Sequence, residues 1–194
     1  VVMHLLGNLT LYYPDSSLFN LYADKLMSLG AFIQAAEVGL LVIFIAHVIL
    51  AILIRKRNAD ARPEAYKGKL VTKGGENRNT LASRNMIVSG VFLLFFIVFH
   101  VWQFKYGAGI SEGYVATVDG NEVRDLYRLV AETFRNPLFA GLYMIAMVVL
   151  GFHLRHGFWS AFQSLGVVNE RNTDCFYRLS LFLAVILAGG FFLI

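Results

Sequence analysis

The chain has 194 residues, 57% of them hydrophobic and 14% aromatic, with a mean hydropathy of +0.60 and a formal net charge of +4. Soluble domains are about 45–50% apolar, so this composition indicates an integral membrane protein. The apolar runs are continuous over helix length and do not alternate with period two, which excludes a transmembrane barrel and leaves a helical bundle. One cysteine, Cys175, excludes an intrachain disulfide and a thiolate cluster, and no C-x-x-C-H motif is present.

Residues 1–6 read as the last turns of a first helix, closed by Gly7 and Asn8. Val1 is not an initiator residue and His4 follows only three apolar residues, so we expect most of that helix to precede the chain as given. Ile194 likewise ends inside an apolar run. A signal peptide is excluded at the start, because there is neither a basic n-region nor a small-residue cleavage site. In the following connection, Pro14, Asp15 and Ser16 mark a turn. Leu18, Leu21, Tyr22, Lys25 and Leu26 then fall at helical spacing, which predicts a short interfacial helix able to lid what lies beneath it.

A second helix is expected over residues 31–54, long enough at about 1.5 Å per residue to cross a hydrocarbon core of about 30 Å. It carries Gln34, Glu37 and His47. Nine of the seventeen Lys and Arg residues lie in the glycine-rich connection that follows, residues 55–84. A third helix spans about 86–104 with His100 near its far end. In the next connection, alternation over 114–123 around Asp119-Gly120 predicts a hairpin. Val123, Leu126, Leu129, Val130 and Phe134 predict a second short amphipathic helix. Pro137 opens a fourth helix to about 162, and a fifth runs from about 176 to the end. The expectation is an all-α membrane protein, a five-transmembrane-helix bundle in one domain over residues 1–194, with two short interfacial helices in the outer loops.

Lys and Arg concentrate in the second-to-third and fourth-to-fifth connections, which places both on the cytoplasmic side; the expected location of this multi-pass chain is a bacterial-type cytoplasmic (inner) membrane. The net charge comes mainly from one loop and is not read as nucleic-acid binding. Histidines in apolar segments are costly and mark function. His47 lies roughly 12 Å and His153 roughly 15 Å from the cytoplasmic helix ends, while His100 lies roughly 8 Å from the outer end and His4 just before the outer exit of its helix. Diagonal helices of a bundle thus present two histidine pairs at two depths, His4 with His100 and His47 with His153 or His156.

A flat macrocycle ligated on both faces needs that arrangement, so two non-covalent b haems are expected. Filling both axial positions leaves no place for oxygen and favours electron transfer. Gly39, Gly90 and Gly141 lie at about the height of the opposite pair and are candidates to admit a ring edge, although glycine is common in membrane helices. His153 and His156 are also spaced to chelate an ion, without a neighbouring carboxylate. Arg155 is suited to a haem propionate or to snorkelling. Ser83 and Arg84 suit a propionate or a quinone carbonyl, or flank the helix start. Trp102, Gln103 and Lys105 are candidates for the outer haem or quinone environment, or ordinary interfacial anchors. Glu37 is placed to carry protons or to sit at a solvated helix end.

The pieces His4-Leu5-Leu6-Gly7-Asn8, Ser83-Arg84-Asn85-Met86, Ser89-Gly90, Phe99-His100, and Phe152-His153-Leu154-Arg155-His156-Gly157 through Ser160-Ala161-Phe162-Gln163 resemble a known family. It is the single-chain, di-haem cytochrome b membrane anchor of succinate:quinone oxidoreductases (succinate dehydrogenase and fumarate reductase). The resemblance implies His153 as fourth ligand, since it stands four residues before Gly157, and puts His156 beside the site. It implies electron transfer between an iron–sulfur subunit and membrane quinone in the respiratory chain and tricarboxylic acid cycle. Quinone is the substrate, and FAD and iron–sulfur clusters reside only in the flavoprotein and iron–sulfur partners on the cytoplasmic face. Lipid is a further partner, and a higher oligomer of the complex is allowed. One departure is Gly151, where some quinol-oxidising members carry a glutamate. The rivals are a di-haem anchor of a hydrogenase or formate dehydrogenase, and a haem-free transporter or scaffold.

Overall fold

A computed structural model of the chain describes residues 1–61 and 85–194. It is mostly helical, and its contacts divide the chain into two compact units, Val1–Lys25 with Leu81–Ile194, and Leu26–Thr80. The elements run in the order α1 (Val2–Asn8), α2 (Ser16–Ser28), α3 (Ala31–Asp60), α4 (Met86–Phe104), β1 (Val115–Val118), β2 (Asn121–Arg124), α5 (Leu126–Arg135), α6 (Pro137–Ser164) and α7 (Thr173–Leu193). Four of these, α3, α4, α6 and α7, are long and apolar enough to cross a membrane, which makes this a multi-pass membrane protein. Val88, Phe95, Leu138, Ile145 and Phe182 are all more than half exposed, as side chains facing lipid should be.

The unit Leu26–Thr80 is built on α3. Gly30, at φ 53°, turns the chain into this 30-residue helix, which is apolar on all sides and buries none of its side chains. The helix does not stop near residue 54 but continues to Asp60, carrying Arg55, Lys56 and Arg57. Charged residues mark where a helix leaves hydrocarbon, not where it ends, and Arg and Lys are good helix formers. The remainder of the basic connection, residues 62–84, lies outside the described residues.

In the other unit α6 and α7 form the central pair. Phe162 meets Phe176, Trp159 meets Tyr177 and Gly151 meets Ala188, so the two helices run antiparallel. Ala146, Ser180, Ala184 and Ala188 are buried, and such small residues let helix backbones approach in the absence of a hydrophobic driving force. A Cβ at Gly151 would already sit 3.3 Å from that of Ala188. The turn between them is closed reciprocally: Asn169 Oδ1 accepts from the Arg171 and Asn172 N–H groups, and Asn172 Oδ1 accepts from the Asn169 N–H. α7 starts at Thr173, three residues before its apolar run, and Thr173 Oγ1 donates to the Asn169 carbonyl of the preceding turn.

α4 packs antiparallel on α6, with Ser89 against His153 at one end and Phe99 against Phe139 at the other. α1 lies on α7, where Leu5 contacts Gly190 and the Tyr12 hydroxyl donates to the Leu193 carbonyl. The hairpin forms as expected: Asp119 and Gly120 both have positive φ, 51° and 81°, the pairing of the tight turn that suits twisted strands.

The ends of these elements are fastened by two side chains. Arg124 at the end of β2 donates to the carbonyls of Phe104, Lys105, Gly107 and Ala108 at 2.9–3.3 Å, holding the last carbonyls of α4. Asn20 of α2 is 1% exposed; its amide donates to Asp125 Oδ1, and its oxygen accepts from the Tyr127 N–H. Asp125 in turn caps α5 by accepting from the Arg128 N–H.

Candidate functional site

Two levels of histidine stand along α4 and α6. At the first, His4 of α1 and His100 of α4, 96 positions apart in the chain, bring their ring centroids to 5.8 Å at an interplanar angle of 77°. With metal–nitrogen bonds of about 2 Å on each side and ring centroids roughly 1 Å further back, two imidazoles on one ion sit about 6 Å apart. The pair is close enough for two imidazoles to share one ion. Phe191 lies 5.4 Å from His4, and Phe104 and Phe96 lie 5.4 and 5.9 Å from His100. An apolar aromatic wall of this kind keeps water away from an iron and governs its potential.

His100 Nδ1 lies 3.4 Å from the Tyr143 hydroxyl on α6. That hydroxyl donates to Gln103 Oε1 at 2.8 Å, and Gln103 Nε2 donates to Thr133 Oγ1 on α5 at 3.4 Å. The Tyr143 ring is held edge-on by Phe96 and Phe134, each with its centroid 5.0 Å away. A hydrogen bond at Nδ1 is the usual way in which a ligating histidine is oriented through its other nitrogen.

At the second level His153 Nδ1 lies 3.0 Å from Ser89 Oγ, which also reaches the Met86 carbonyl at 3.0 Å. Gly90 stands beside it; a Cβ there would come within 3.5 Å of His153 Cε1. The expected match in height between Gly90 and the opposite histidine level is thus met. Ser89 and His100 are eleven residues apart on one helix, so the two levels are separated by roughly 16 Å. His47 lies mid-way along α3, in the other unit.

Arg155 is two residues beyond His153, about 200° around the helix. It faces α7, where its guanidinium bonds the Tyr177 hydroxyl at 2.6 Å and lies 5.3 Å from that ring. His156 is half-buried on α6. Trp102 is exposed, with its ring 6.2 Å from Phe99, and Lys105 ends α4 with its ammonium 5.6 Å from the Tyr106 ring. Ser83 and Arg84 lie outside the described residues.

Among the described residues no three His, Cys, Asp or Glu side chains gather, and the histidines the structure brings together are the pair His4 and His100. Two ligands suit the axial positions of a macrocycle that supplies the other four, and do not complete a tetrahedral zinc site. Tyr143 is the participant missing from the sequence expectations. Its signal was a phenol in an otherwise apolar run, since a buried tyrosine hydroxyl requires a partner. Comparisons with protein families, curated proteins and solved structures return no match for this chain.

Proposed function

We propose that this chain is the membrane anchor and electron-transfer subunit of a succinate:quinone oxidoreductase, passing electrons between an iron–sulfur subunit and membrane quinone through two bis-histidine b haems. The observation that carries the reading is the approach of His4 and His100 to 5.8 Å from helices distant in sequence, close enough for two imidazoles to share one ion. The second level, where Ser89 and Gly90 frame His153, adds a site roughly 16 Å along the same helices.

A b haem, when bound, supplies a one-electron couple. The chain's own residues do the rest. His4 and His100 ligate on the outer level and His153 on the inner, Tyr143 and Ser89 orient the imidazoles through Nδ1, and the Phe96, Phe104 and Phe191 rings exclude water. Succinate oxidation belongs to the flavoprotein partner and this chain performs no carbon chemistry. Gly151, where some quinol-oxidising members of the resembled family carry a glutamate, is occupied by the contact of α6 with α7, so a proton route through that position is not part of the proposal.

The visible spectrum of the chain purified from haem-supplied cells tests the reading. Two low-spin b-type signals are expected; a colourless preparation overturns it in favour of a haem-free transporter or scaffold. Co-purification of FAD and succinate activity separates this anchor from that of a hydrogenase or formate dehydrogenase.

A further inference from the structure

The hydrogen bonds behind His100 have a direction. A phenol carries one proton. The Tyr143 hydroxyl has two neighbours, Gln103 Oε1 at 2.8 Å and His100 Nδ1 at 3.4 Å. The first distance is that of a well-formed O–H···O bond, so the proton goes to Gln103. The phenol oxygen then offers His100 only lone pairs. Nδ1 must carry the imidazole proton, and the lone pair is left on Nε2. Gln103 is itself oriented by donating its amide to Thr133, which is 8% exposed. The aromatic rings around Tyr143 leave its hydroxyl little choice of other acceptors.

We propose that Tyr143 and Gln103 are positioning residues that select the His100 tautomer: the Gln103 amide draws the phenol proton, the phenol oxygen holds Nδ1–H, and Nε2 is the nitrogen presented to a metal. The selection is a property of the chain alone; only its use in ligating iron rests on the haem reading above.

The direction makes the more distant residue the more important one. In Tyr143→Phe, Nδ1 loses its partner and both tautomers become accessible, so ligation through Nε2 survives. In Gln103→Leu, the phenol proton has His100 Nδ1 as its nearest acceptor. The phenol then selects the tautomer protonated at Nε2, which cannot ligate through that atom. Gln103→Glu keeps an oxygen acceptor for the phenol proton, with the Thr133 hydroxyl now its donor, and should keep His100 protonated at Nδ1.

The test is nitrogen NMR of the full chain labelled with 15N-histidine, in detergent and free of haem, with the His100 signals assigned by their loss in His100→Gln. Wild type and Gln103→Glu are expected to show His100 protonated at Nδ1, Gln103→Leu protonated at Nε2, and Tyr143→Phe a mixture. In haem-supplied protein, Gln103→Leu should lose one of two low-spin signals. Tyr143→Phe should keep both, with one midpoint potential raised, because an imidazole without an acceptor at Nδ1 is a weaker base toward ferric iron. Nε2 protonation in the wild type, or a tautomer unmoved by Gln103→Leu, overturns the proposal. The expected NMR pattern in a chain that takes up no haem would leave the proposal standing and overturn the haem reading instead.

Discussion

His153 and His156 are one helical turn apart, and only their surroundings distinguish them. His153 is engaged at Nδ1 by Ser89, and its ring packs on Gly90 of α4. His153→Ala should therefore remove one haem's low-spin spectrum and leave the other; retention of both would transfer the ligand role to His156. Arg155 shows the same sensitivity to helical phase. Its bond to Tyr177 sets it on the α7 side, away from the face that carries His153. Glu132 gives a residue-scale prediction outside the membrane-spanning segments. Its carboxyl is held below the ordinary range by the Tyr114 hydroxyl at 2.6 Å and then by Arg128 at 2.8 Å. A carboxyl whose folded pKa is lowered contributes in full above its unfolded value of roughly 4.3 and loses that contribution as the pH falls through the lower folded value. Protease nicking of the segment 109–135 should rise as the pH is taken from 6 to 3. In Glu132→Gln that dependence should be weaker, with more nicking already at pH 6.

At the scale of elements, the long helices are legible because runs of 19–30 residues with so few charges have no other stable state in lipid. The hairpin is legible because Asp-Gly accepts the two positive φ angles that a two-residue turn imposes. Helix ends are less so, as the extension of α3 to Asp60 shows. What fastens the elements is not legible at all. Arg124 reads as a strand residue in an outer loop, yet it binds the carbonyls of Phe104 and Lys105 at the end of α4 and those of Gly107 and Ala108 just beyond it, the first about one turn past His100. Hydrogen bonds to a charged group contribute about 1.5–3 kcal/mol, so Arg124→Ala should destabilise the protein by roughly that much and at least as strongly as Arg124→Lys, since Lys cannot fork to several acceptors. Thermal unfolding in detergent measures this, and a loss below about 0.5 kcal/mol would show the cap to be dispensable. Asn20→Ala should act similarly, by freeing the start of α5 from α2.

For the whole molecule, charge bias sets an orientation that one native side chain can report. Cys175 is the sole cysteine, is exposed, and lies in the first turn of α7 beside the connection that the charge bias assigns to the cytoplasm. A membrane-impermeant maleimide should label it in inside-out vesicles and not in right-side-out ones; the reverse pattern would invert the topology and with it the order of the two histidine levels. By itself the sequence determined that the chain is a helical membrane protein, where four of the five expected spanning segments lie, and that His100 and His153 stand at two depths. These are properties of local composition and helical rise, and they survive without knowing any partner. The pairing of His4 with His100 is expected from depth and helix order and is met; only tertiary structure decided that Ser89 rather than another hydroxyl holds His153, and that Tyr143, 40 residues from Gln103 and 43 from His100, links the two. Which face of a helix meets which neighbour depends on packing of small residues and on rotation about the helix axis, and a hydropathy pattern that is apolar all round carries no information about either.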